Sequence, residues 1–400
     1  MGHIFHIIHM LYYDFMNNSI DLLDFSNPGH IKIALLSSGI SINSQDVFNN
    51  PLYAENQFPY GYSNDEIKNY SRVPAEIVLP QEVYCGLHLR KDSPWKLGIN
   101  QNEFILKYND KIVMPITFIP RPNFYGKPLS NGQFCEKVTV LYGNKHILSF
   151  FTRGYCHYFS VNKQCKFCSL NPTRGSYGKS NELFVKPEIA REAAKVAFEL
   201  YNDLLYVNHC SGTHKDNDLG LKFQIDVLKA ISEVTPPKIK QHMLTMPPDR
   251  LNMLEDLKKA GLHTINFALE VFDKDKFAVI CEGKNTLYGR DKFFEAFKKA
   301  VDVFGKGNSY CNFVGGLESI DSMAEGFDYL ASIGIAPSIN VFHPDPKSKL
   351  NKKAPPSIDY LLKMGQLQAS IYKKNKFIPI YPVGGTRNSL DTEAWRGLFD

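Results

Sequence analysis

Three cysteines stand close together near the middle of the chain, at Cys156, Cys165 and Cys168, in a C-x8-C-x2-C spacing. Cysteine thiolates hold iron–sulfur clusters, and three of them can bind three irons of a cubane cluster while the fourth iron stays open. An open iron is a position where chemistry on a bound molecule can take place. The spacing therefore indicates a 4Fe-4S cluster with one exchangeable position.

Two other interpretations fit the same three cysteines. A structural zinc ion would take the thiolates together with His157 or His209, although closed zinc sites usually show two pairs of closely spaced ligands. The three cysteines could also be unrelated buried thiols. Eight cysteines in 400 residues are too sparse for a disulfide scaffold, and in a reducing compartment such a cluster is more often a metal site than a disulfide.

The cysteines follow the first of several apolar segments that alternate with amphipathic helical segments, a pattern that predicts parallel β-α units. The predicted strands are His146–Arg153, Leu204–His209, Lys238–Thr245, Thr264–Glu270, Tyr310–Gly315 and Pro337–Phe342. The predicted helices are Pro187–Tyr201, Leu221–Val234, Asp249–Ala260, Gly289–Phe304, Asp321–Ile333 and Ser357–Tyr372. Right-handed crossovers would curl these units into a partial (β/α)6 TIM-like barrel, with its chemistry on the loops after the carboxyl ends of the strands.

The chain before the barrel has a different pattern. Short strands separated by turn residues predict a small antiparallel module, and residues 1–70 show no clear period. The predicted strands of the module are Ala75–Val83, Lys96–Gly98, Glu103–Tyr108, Lys111–Phe118 and Lys137–Leu141. The expected domains are an N-terminal region with this β-rich module over 1–140, the barrel over 141–350, and a C-terminal helix and extension over 351–400 that close the barrel.

Composition sets limits on the partners and the location of the protein. A hydrophobic content of 44% with 22% charged residues allows a large buried core. The net charge is only +5, and no block of five or more basic residues occurs, so a nucleic-acid partner is not expected. The segment Met1–Asp14 lacks a basic lead and a cleavage site, and no apolar run spans a bilayer, so we expect a cytoplasmic protein with no membrane partner.

The motifs and their order resemble the radical S-adenosylmethionine (radical SAM) superfamily, over about His146 to Leu350. Members of this superfamily place three cysteines after the first barrel strand and an aromatic residue just before the third, where this chain has Phe167. The later strands are most similar to the biotin-synthase-like branch. The chain departs from the usual pattern in its first gap, which is eight residues here and usually three in the superfamily.

The resemblance also implies contacts to S-adenosylmethionine. Ser211, Gly212 and Thr213 stand where the superfamily has a Gly-Gly-Glu-type motif that holds the amino group of the cofactor. A glycine in such a loop allows close approach of the backbone to a ligand. The carboxylate of that motif is missing from this chain, so the match is partial, and an ordinary turn would explain the same residues.

Two later strands carry further matches. Glu270 ends the fourth strand, in the segment that contacts the ribose or the methionine part of the cofactor in the superfamily. A carboxylate can accept hydrogen bonds from ribose hydroxyls or from an ammonium group. Gly315 and Gly316 end the fifth strand, similar to the glycine-rich segment that packs along adenine. Glu270 taken alone would equally be a solvated acid at a strand end.

The resemblance implies an oxygen-sensitive enzyme with a 4Fe-4S cluster and S-adenosylmethionine as cofactors. One electron from the cluster would cleave the cofactor to methionine and a 5′-deoxyadenosyl radical, which abstracts hydrogen from a small-molecule or amino-acid substrate. A reducing partner such as flavodoxin or ferredoxin would supply the electron. The protein would orient the reactants and exclude water.

Two residues are candidates for substrate binding. His343 follows the sixth strand and could serve as a substrate acid or base, or be an ordinary loop histidine. Arg387, in the C-terminal extension, could clamp a carboxylate or phosphate through its forked guanidinium group, or form a structural salt bridge.

Two alternative functions remain open at this point. The upstream module could recognise a peptide, protein or RNA that a radical enzyme modifies. The chain could also be a non-catalytic, zinc-stabilised barrel that binds a ligand.

Overall fold

The computed structural model describes residues 20–42, 52–54, 74–101, 103–175 and 184–400. Its strands, in chain order, are β1 (Ser41–Ile42), β2 (Glu76–Leu79), β3 (Val83–Gly86), β4 (Trp95–Asn100), β5 (Glu103–Tyr108), β6 (Lys111–Pro115), β7 (Thr117–Phe118), β8 (Thr139–Leu141), β9 (Ile147–Arg153), β10 (Tyr206–Ser211), β11 (Lys240–Thr245), β12 (Thr264–Glu270), β13 (Ser309–Gly315) and β14 (Ala336–Val341).

The α-helices alternate with the later strands. They are α1 (Pro28–Ser38), α2 (His157–Ser160), α3 (Leu170–Gly175), α4 (Pro187–Leu200), α5 (Asn217–Ser232), α6 (Met253–Lys259), α7 (Lys274–Ile280), α8 (Arg290–Phe304), α9 (Ile320–Ser332), α10 (Ile358–Asn375) and α11 (Asp391–Trp395), with a π-helical turn at Lys284–Tyr288. No helix of the described residues is long and apolar enough to cross a bilayer.

A seven-stranded sheet in the order β14-β13-β12-β11-β10-β9-β8 forms the frame of the fold. Strands β9 to β14 are parallel neighbours in chain order, and β8 adds to β9 in the antiparallel sense. This arrangement confirms the predicted α/β fold with six parallel strands in a partial barrel. The C-terminal extension borders the edge strand β14, where the Val341 N–H donates to the Asn388 carbonyl at 2.8 Å.

Alternate residues of the parallel strands serve two different layers, because successive side chains of a strand point to opposite faces. One set is apolar and fully buried under the helices, and includes Val207, Met243, Ile265, Phe313 and Ile339. The other set points to the concave side and is largely polar, namely Asn208, His242, Asn266, Asn312 and Asn340. The concave side therefore offers hydrogen-bonding groups where a packed barrel would have aliphatic ones.

The helix α5 begins four residues earlier than the sequence predicts, and α6 begins four residues later. The Asp216 side chain accepts the Leu219 N–H at 2.9 Å, which caps α5 at its observed start. The Asp218 carboxylate accepts the N–H groups of Asp249 and Arg250 at 2.8 and 3.0 Å. These bonds hold residues 249 and 250 in a turn, so the helix predicted from Asp249 starts only at Met253.

The upstream region is not the single antiparallel module that the sequence predicts. It forms one sheet in the order β1-β4-β5-β6 and another in the order β3-β2-β7, while β8 joins the barrel sheet across the expected boundary at residue 140. The predicted strand Ala75–Val83 breaks at Pro80, which cannot donate to a ladder, and Gln81 and Glu82 take left-handed φ values of 61° and 54°. This turn reverses the chain and makes β2 and β3 an antiparallel pair.

Helix α1 lies in the segment 1–70, for which the sequence shows no period. Nearly all its residues are buried, so apolar side chains occur all around it and no amphipathic pattern arises. Lys32 is fully buried in α1, and its Nζ lies 2.7 Å from Glu393 Oε1 and 2.9 Å from the Thr386 carbonyl. The ion pair joins α1 to the C-terminal extension. The remainder of 1–70 lies largely outside the described residues.

His209 lies in the closely packed layer between the sheet and the helices. Its side chain is fully buried on β10, its Nε2 lies 3.0 Å from Gln241 Oε1, and its ring stacks on Phe150. Burial lowers the pKa of His209 to about 4, from an ordinary value of 6.5. Between these two pH values the unfolded chain therefore binds a proton that the folded chain does not.

We predict that the free energy of unfolding of the cluster-free chain falls as the pH drops from 6.5 to 4, with His209 contributing about 1.4 kcal/mol per pH unit. His209→Gln should reduce this slope, as measured by urea denaturation followed by circular dichroism at several pH values. Phe150→Leu is the matched control, because it disturbs the same contact without removing a titrating group and should lower stability equally at all pH values. An unchanged slope in His209→Gln would contradict the assignment.

Candidate active site

The loop that carries the three cysteines begins directly after β9. The Cys156 N–H donates to Asn171 Oδ1 at 2.9 Å, and Asn171 Nδ2 donates back to the Cys156 carbonyl at 3.3 Å. The loop after β10 supports the same segment, since the His157 N–H donates to the Thr213 carbonyl at 2.8 Å. A Cβ atom at Gly212 would collide with the Tyr155 carbonyl, so only glycine allows this approach of the two loops.

The long first gap of the cysteine motif is a folded segment. Its first residues form α2, and the Lys163 carbonyl near its end accepts the Gly283 N–H at 2.8 Å. Just after the gap, the Lys166 N–H donates at 2.9 Å to the carbonyl of Ile280, the last residue of α7. A Cβ atom at Gly283 would lie 2.6 Å from Lys163 O and from the Tyr158 ring. The eight-residue gap is therefore clamped between α2 and the segment 280–283.

The three thiols are in different electrostatic surroundings. Burial raises the pKa of Cys156 and of Cys168. The pKa of Cys165 is lowered, because its sulfur receives a hydrogen bond from the Cys281 thiol and lies near the Lys284 ammonium group. Cys165 is therefore the thiol best prepared to act as a thiolate ligand.

Of the two histidines proposed for a zinc site, His157 and His209, the second does not reach these thiols. His209 points to the outer layer, away from the concave side that Cys168 lines. Within the described part of the chain, no group of three His, Cys, Asp or Glu side chains converges closely enough to hold a single metal ion. A cubane cluster places several atoms between its ligands, so it joins thiolates that lie farther apart than the ligands of one zinc ion. Three cysteine thiols on one loop are the donor type that such a cluster takes.

A buried ion pair lies beside the cysteines. Lys284 Nζ is 2.7 Å from Glu270 Oε1, the two side chains are only 7% and 11% exposed, and the Lys284 ammonium group also donates to the Ala268 carbonyl. Burial lowers the pKa of Lys284, but the negative charges of Glu270 and the neighbouring thiols outweigh burial and raise it. Glu270 has a left-handed φ of 74°, a strained conformation of the kind that clusters at functional sites.

A cavity of about 390 Å³ lies on the concave side of the sheet, with Phe167 and Cys168 at its border. Side-chain amides from several strands line it together with apolar walls from Phe151, Leu244 and Tyr381. Asn340 Nδ2 donates to Asn312 Oδ1 at 3.0 Å, and Asn312 Nδ2 donates to Glu270 Oε2 at 3.4 Å. A hydrogen-bonded chain therefore connects β14, β13 and β12 to the Lys284 ion pair.

Asn266 is the amide that the structure leaves open to a ligand. Its side chain is only 3% exposed, it lines the cavity, and its Oδ1 has no hydrogen-bond partner. A buried polar atom without a partner is costly, so such an atom in a cavity marks a position for a ligand group.

The structure brings together only some of the predicted site residues. Those that line the cavity are Phe167, Cys168, Ser211, Gly212, Glu270, His343 and Arg387. Thr213, Cys156 and Cys165 are not among the lining residues, and the Thr213 carbonyl accepts the His157 N–H of the cysteine loop. Gly315 and Gly316 do not line the cavity, since the space of their missing side chains is filled by Met364 and Pro356. Helix packing therefore accounts for these two glycines, and their role at adenine stays a prediction.

The two candidate substrate residues differ in the contacts that their side chains already make within the protein. The guanidinium of Arg387 forms a buried ion pair with Glu76, with Nη1 3.0 Å from Oε1, and lies over the Tyr142 ring. Arg387 is therefore a structural link to β2 at the cavity wall, and its role as a substrate clamp stays a prediction. His343 packs against His88, burial lowers the pKa of His343 to about 4, and its Nδ1 has no partner.

Sequence reasoning missed Cys281, Lys284 and the strand amides. Cys281 was only one of five isolated cysteines, and Lys284 lies in a helical segment with no recognisable motif. Each of the strands β10 and β12 to β14 contains one asparagine, which is a signal that the sequence contains. The π-helical turn that starts at Lys284 is a feature common at functional sites, but its register is not readable from sequence.

We predict that Lys284→Met destabilises the cluster-free chain by about 3–5 kcal/mol, because it leaves the Glu270 carboxylate buried without its cation. The double variant Lys284→Met/Glu270→Gln should recover most of the loss, as measured by urea denaturation. Lys363→Met serves as the control, since Lys363 pairs with Asp359 on the surface and should lose less than about 1 kcal/mol. If the double variant were no more stable than Lys284→Met, the ion pair would not be the cause.

Comparisons with known proteins place this site in a family. The sequence model of the radical SAM superfamily matches residues 157–350, beginning one residue after Cys156. The bacteriochlorophyllide c C-7(1)-hydroxylase of Chlorobaculum limnaeum is 26% identical over 261 residues, which are 62% of this chain and 64% of that protein. The match thus spans less than two thirds of the hydroxylase.

Similar solved structures include methylornithine synthase, with a TM-score of 0.44 and 14% identity over 59% of this chain and 65% of the synthase. Coproporphyrinogen III oxidase from Escherichia coli has a TM-score of 0.39 and 16% identity over 58% of this chain and 54% of the oxidase. The match to the superfamily model thus assigns residues 157–350, which contain strands β10 to β14, to the radical SAM superfamily.

Proposed function

We propose that the chain binds a 4Fe-4S cluster through Cys156, Cys165 and Cys168, cleaves S-adenosylmethionine reductively, and abstracts a hydrogen atom from a small molecule held in the cavity. The observation that carries this proposal is the position of the cysteine loop. The loop follows β9 at the carboxyl end of the parallel sheet, and Phe167 and Cys168 border a cavity of about 390 Å³. That volume suits a small-molecule substrate.

The cluster, when bound, supplies one electron and an open iron for the amino and carboxylate groups of the cofactor. The residues of this chain orient the cofactor. Ser211, Gly212 and Thr213 would present backbone groups to its amino end, and Glu270 would accept hydrogen bonds from its ribose or ammonium group. Lys284 keeps Glu270 fixed for this task through their 2.7 Å contact. Phe167 would pack beside the cluster.

The substrate would lie deeper in the cavity, between the strand amides and the C-terminal extension. The Oδ1 of Asn266 would accept a hydrogen bond from an N–H or O–H group of the bound molecule. The apolar walls would contact a hydrocarbon part of that molecule. His343 and Arg387, which also line the cavity, would contact its polar end. The similarity to a protein named a hydroxylase supports a reaction that begins by breaking a C–H bond.

We also propose that three parts of the chain have different roles. Residues 141–350 would carry the catalytic chemistry, 351–400 would close the open side of the barrel, and 1–140 would brace it. Contacts such as the Arg387–Glu76 pair and the Val341–Asn388 hydrogen bond support this division. The electron would come from flavodoxin or ferredoxin in a reducing cytoplasm.

Anaerobic reconstitution with iron and sulfide tests the proposal. The chain should take up about four irons and four sulfides and should release 5′-deoxyadenosine from S-adenosylmethionine after reduction with dithionite. Uptake of a single zinc ion without iron, or no cleavage of the cofactor by an iron-loaded chain, would rule the proposed function out.

We predict that Cys165→Ala loses the cluster, because two thiolates cannot replace the three that the proposed site supplies. Iron analysis and the visible absorption of the reconstituted chain measure the loss. Cys135→Ala is the matched control: Cys135 is also a fully buried thiol, but its Sγ contacts the Ala193 carbonyl in a different part of the fold. Full iron content in Cys165→Ala would contradict the assignment, and a similar loss in both variants would point to misfolding.

A further inference from the structure

Lysines from two separate segments meet on the outer side of the cysteine loop. The segment 346–354 contains four lysines, of which Lys349, Lys352 and Lys353 are exposed, and the loop itself contributes Lys163 and Lys166. The two segments touch directly, since the Leu350 N–H donates to the Lys166 carbonyl at 3.1 Å and Lys349 Nζ donates to Asn162 Oδ1 at 2.9 Å. We call these five lysines the basic face. It is assembled by folding, which is why no long basic block appears in the sequence.

Few negative charges offset the basic face. Glu282 Oε1 lies 3.8 Å from Lys163 Nζ, in a contact that is about half exposed and therefore weak. Asp345 is only 3% exposed, and its carboxylate accepts the Lys347 N–H at 2.9 Å, so it is turned into the fold. Lys349, Lys352 and Lys353 are exposed. The surface therefore presents an excess of positive charge to solvent.

The basic face lies next to the proposed iron ligands. Lys166 follows Cys165 directly and precedes Cys168 by two positions, and Cys165 itself is 8% exposed. A protein seated on this face would contact the loop that supplies two of the three thiolates. Electron transfer between proteins requires such close approach of the two redox centres.

We propose that the basic face is the docking surface for an acidic one-electron donor protein of the flavodoxin or ferredoxin kind. This inference rests on the proposed function, because it assumes a cluster on the cysteine loop. In the step itself the donor loses one electron and the cluster gains it, and no bond is made or broken. Positive charge on the face attracts the donor and raises the rate of encounter.

The composition of the face favours a protein partner over a single-stranded nucleic acid. Proteins that bind single strands combine basic groups with aromatic side chains on which bases stack. Neither 160–166 nor 346–354 contains an aromatic residue. These two segments therefore offer charge without stacking surfaces of their own.

The double variant Lys352→Glu/Lys353→Glu tests the proposal in the reconstituted full chain. In anaerobic stopped-flow mixing with reduced flavodoxin at low salt, the variant should show a second-order rate of cluster reduction at least about tenfold below wild type. The wild-type rate should fall as ionic strength rises, while the rate of the variant should depend much less on salt. Dithionite, which needs no docking surface, should reduce both clusters equally.

Lys373→Glu/Lys374→Glu is the matched control. These two lysines are also exposed neighbours, but they lie in the last turn of α10. The segment 346–354 precedes the first turn of α10, so the length of this helix separates the control lysines from the segment. The control should be reduced by flavodoxin at the wild-type rate.

Equal flavodoxin rates in wild type and Lys352→Glu/Lys353→Glu at low salt, with normal reduction by dithionite, would overturn the docking surface alone. A wild-type chain that holds no reducible cluster would overturn both the docking surface and the proposed function. Loss of binding to a single-stranded RNA in the variant, with an unchanged flavodoxin rate, would show that the face serves a nucleic acid and would also overturn the proposal.

Discussion

The candidate site depends on one buried cation. Lys284 is almost completely removed from water, and it faces both the Glu270 carboxylate and the Cys165 thiol. A buried charge is tolerated only when opposite charge and hydrogen bonds surround it, so the position of Lys284 fixes the positions of its neighbours. The strained backbone of Glu270, the clamp on the cysteine loop and the chain of amides across β12 to β14 all converge on this ion pair.

The arrangement also explains how an unusual cysteine spacing can be accommodated. A gap of eight residues would leave the first cysteine on a loose loop if nothing held the insertion. Here α2 shortens the insertion, Asn171 fixes Cys156 from one side, and the segment 280–283 holds the other end through backbone hydrogen bonds. At Gly212 and Gly283 the chain approaches the cysteine loop too closely for any side chain.

The barrel could be predicted from sequence because its signal is local. Each parallel strand is a short apolar run, each helix has its own period, and their alternation determines the order of the sheet. The upstream region could not be predicted in the same way, since β6 and β7 are separated by a single residue and yet join different sheets. Helix α1 was missed because burial on all sides removes the amphipathic pattern. The branch within the superfamily stays a prediction.

For the site, the sequence predicted the positions whose residue types are themselves distinctive, namely the cysteines and Glu270. It did not predict their partners, because the contact between Lys284 and Glu270 arises from the path of the chain through α7 and the π-helical turn. The match of the superfamily model to residues 157–350 supports the fold around the cysteines but does not test the roles of individual residues. Those roles depend on geometry that spacing alone does not contain.

The ion pair between Lys32 and Glu393 has a consequence for how the protein is made. Its two partners are 361 positions apart, and both are fully buried. During synthesis on the ribosome, α1 emerges early and carries a lysine whose native partner does not yet exist. Contacts of such large sequence separation form slowly. The Lys32 ammonium group therefore stays hydrated until nearly the whole barrel has been translated. Docking of the C-terminal extension against α1 is therefore a late step in folding.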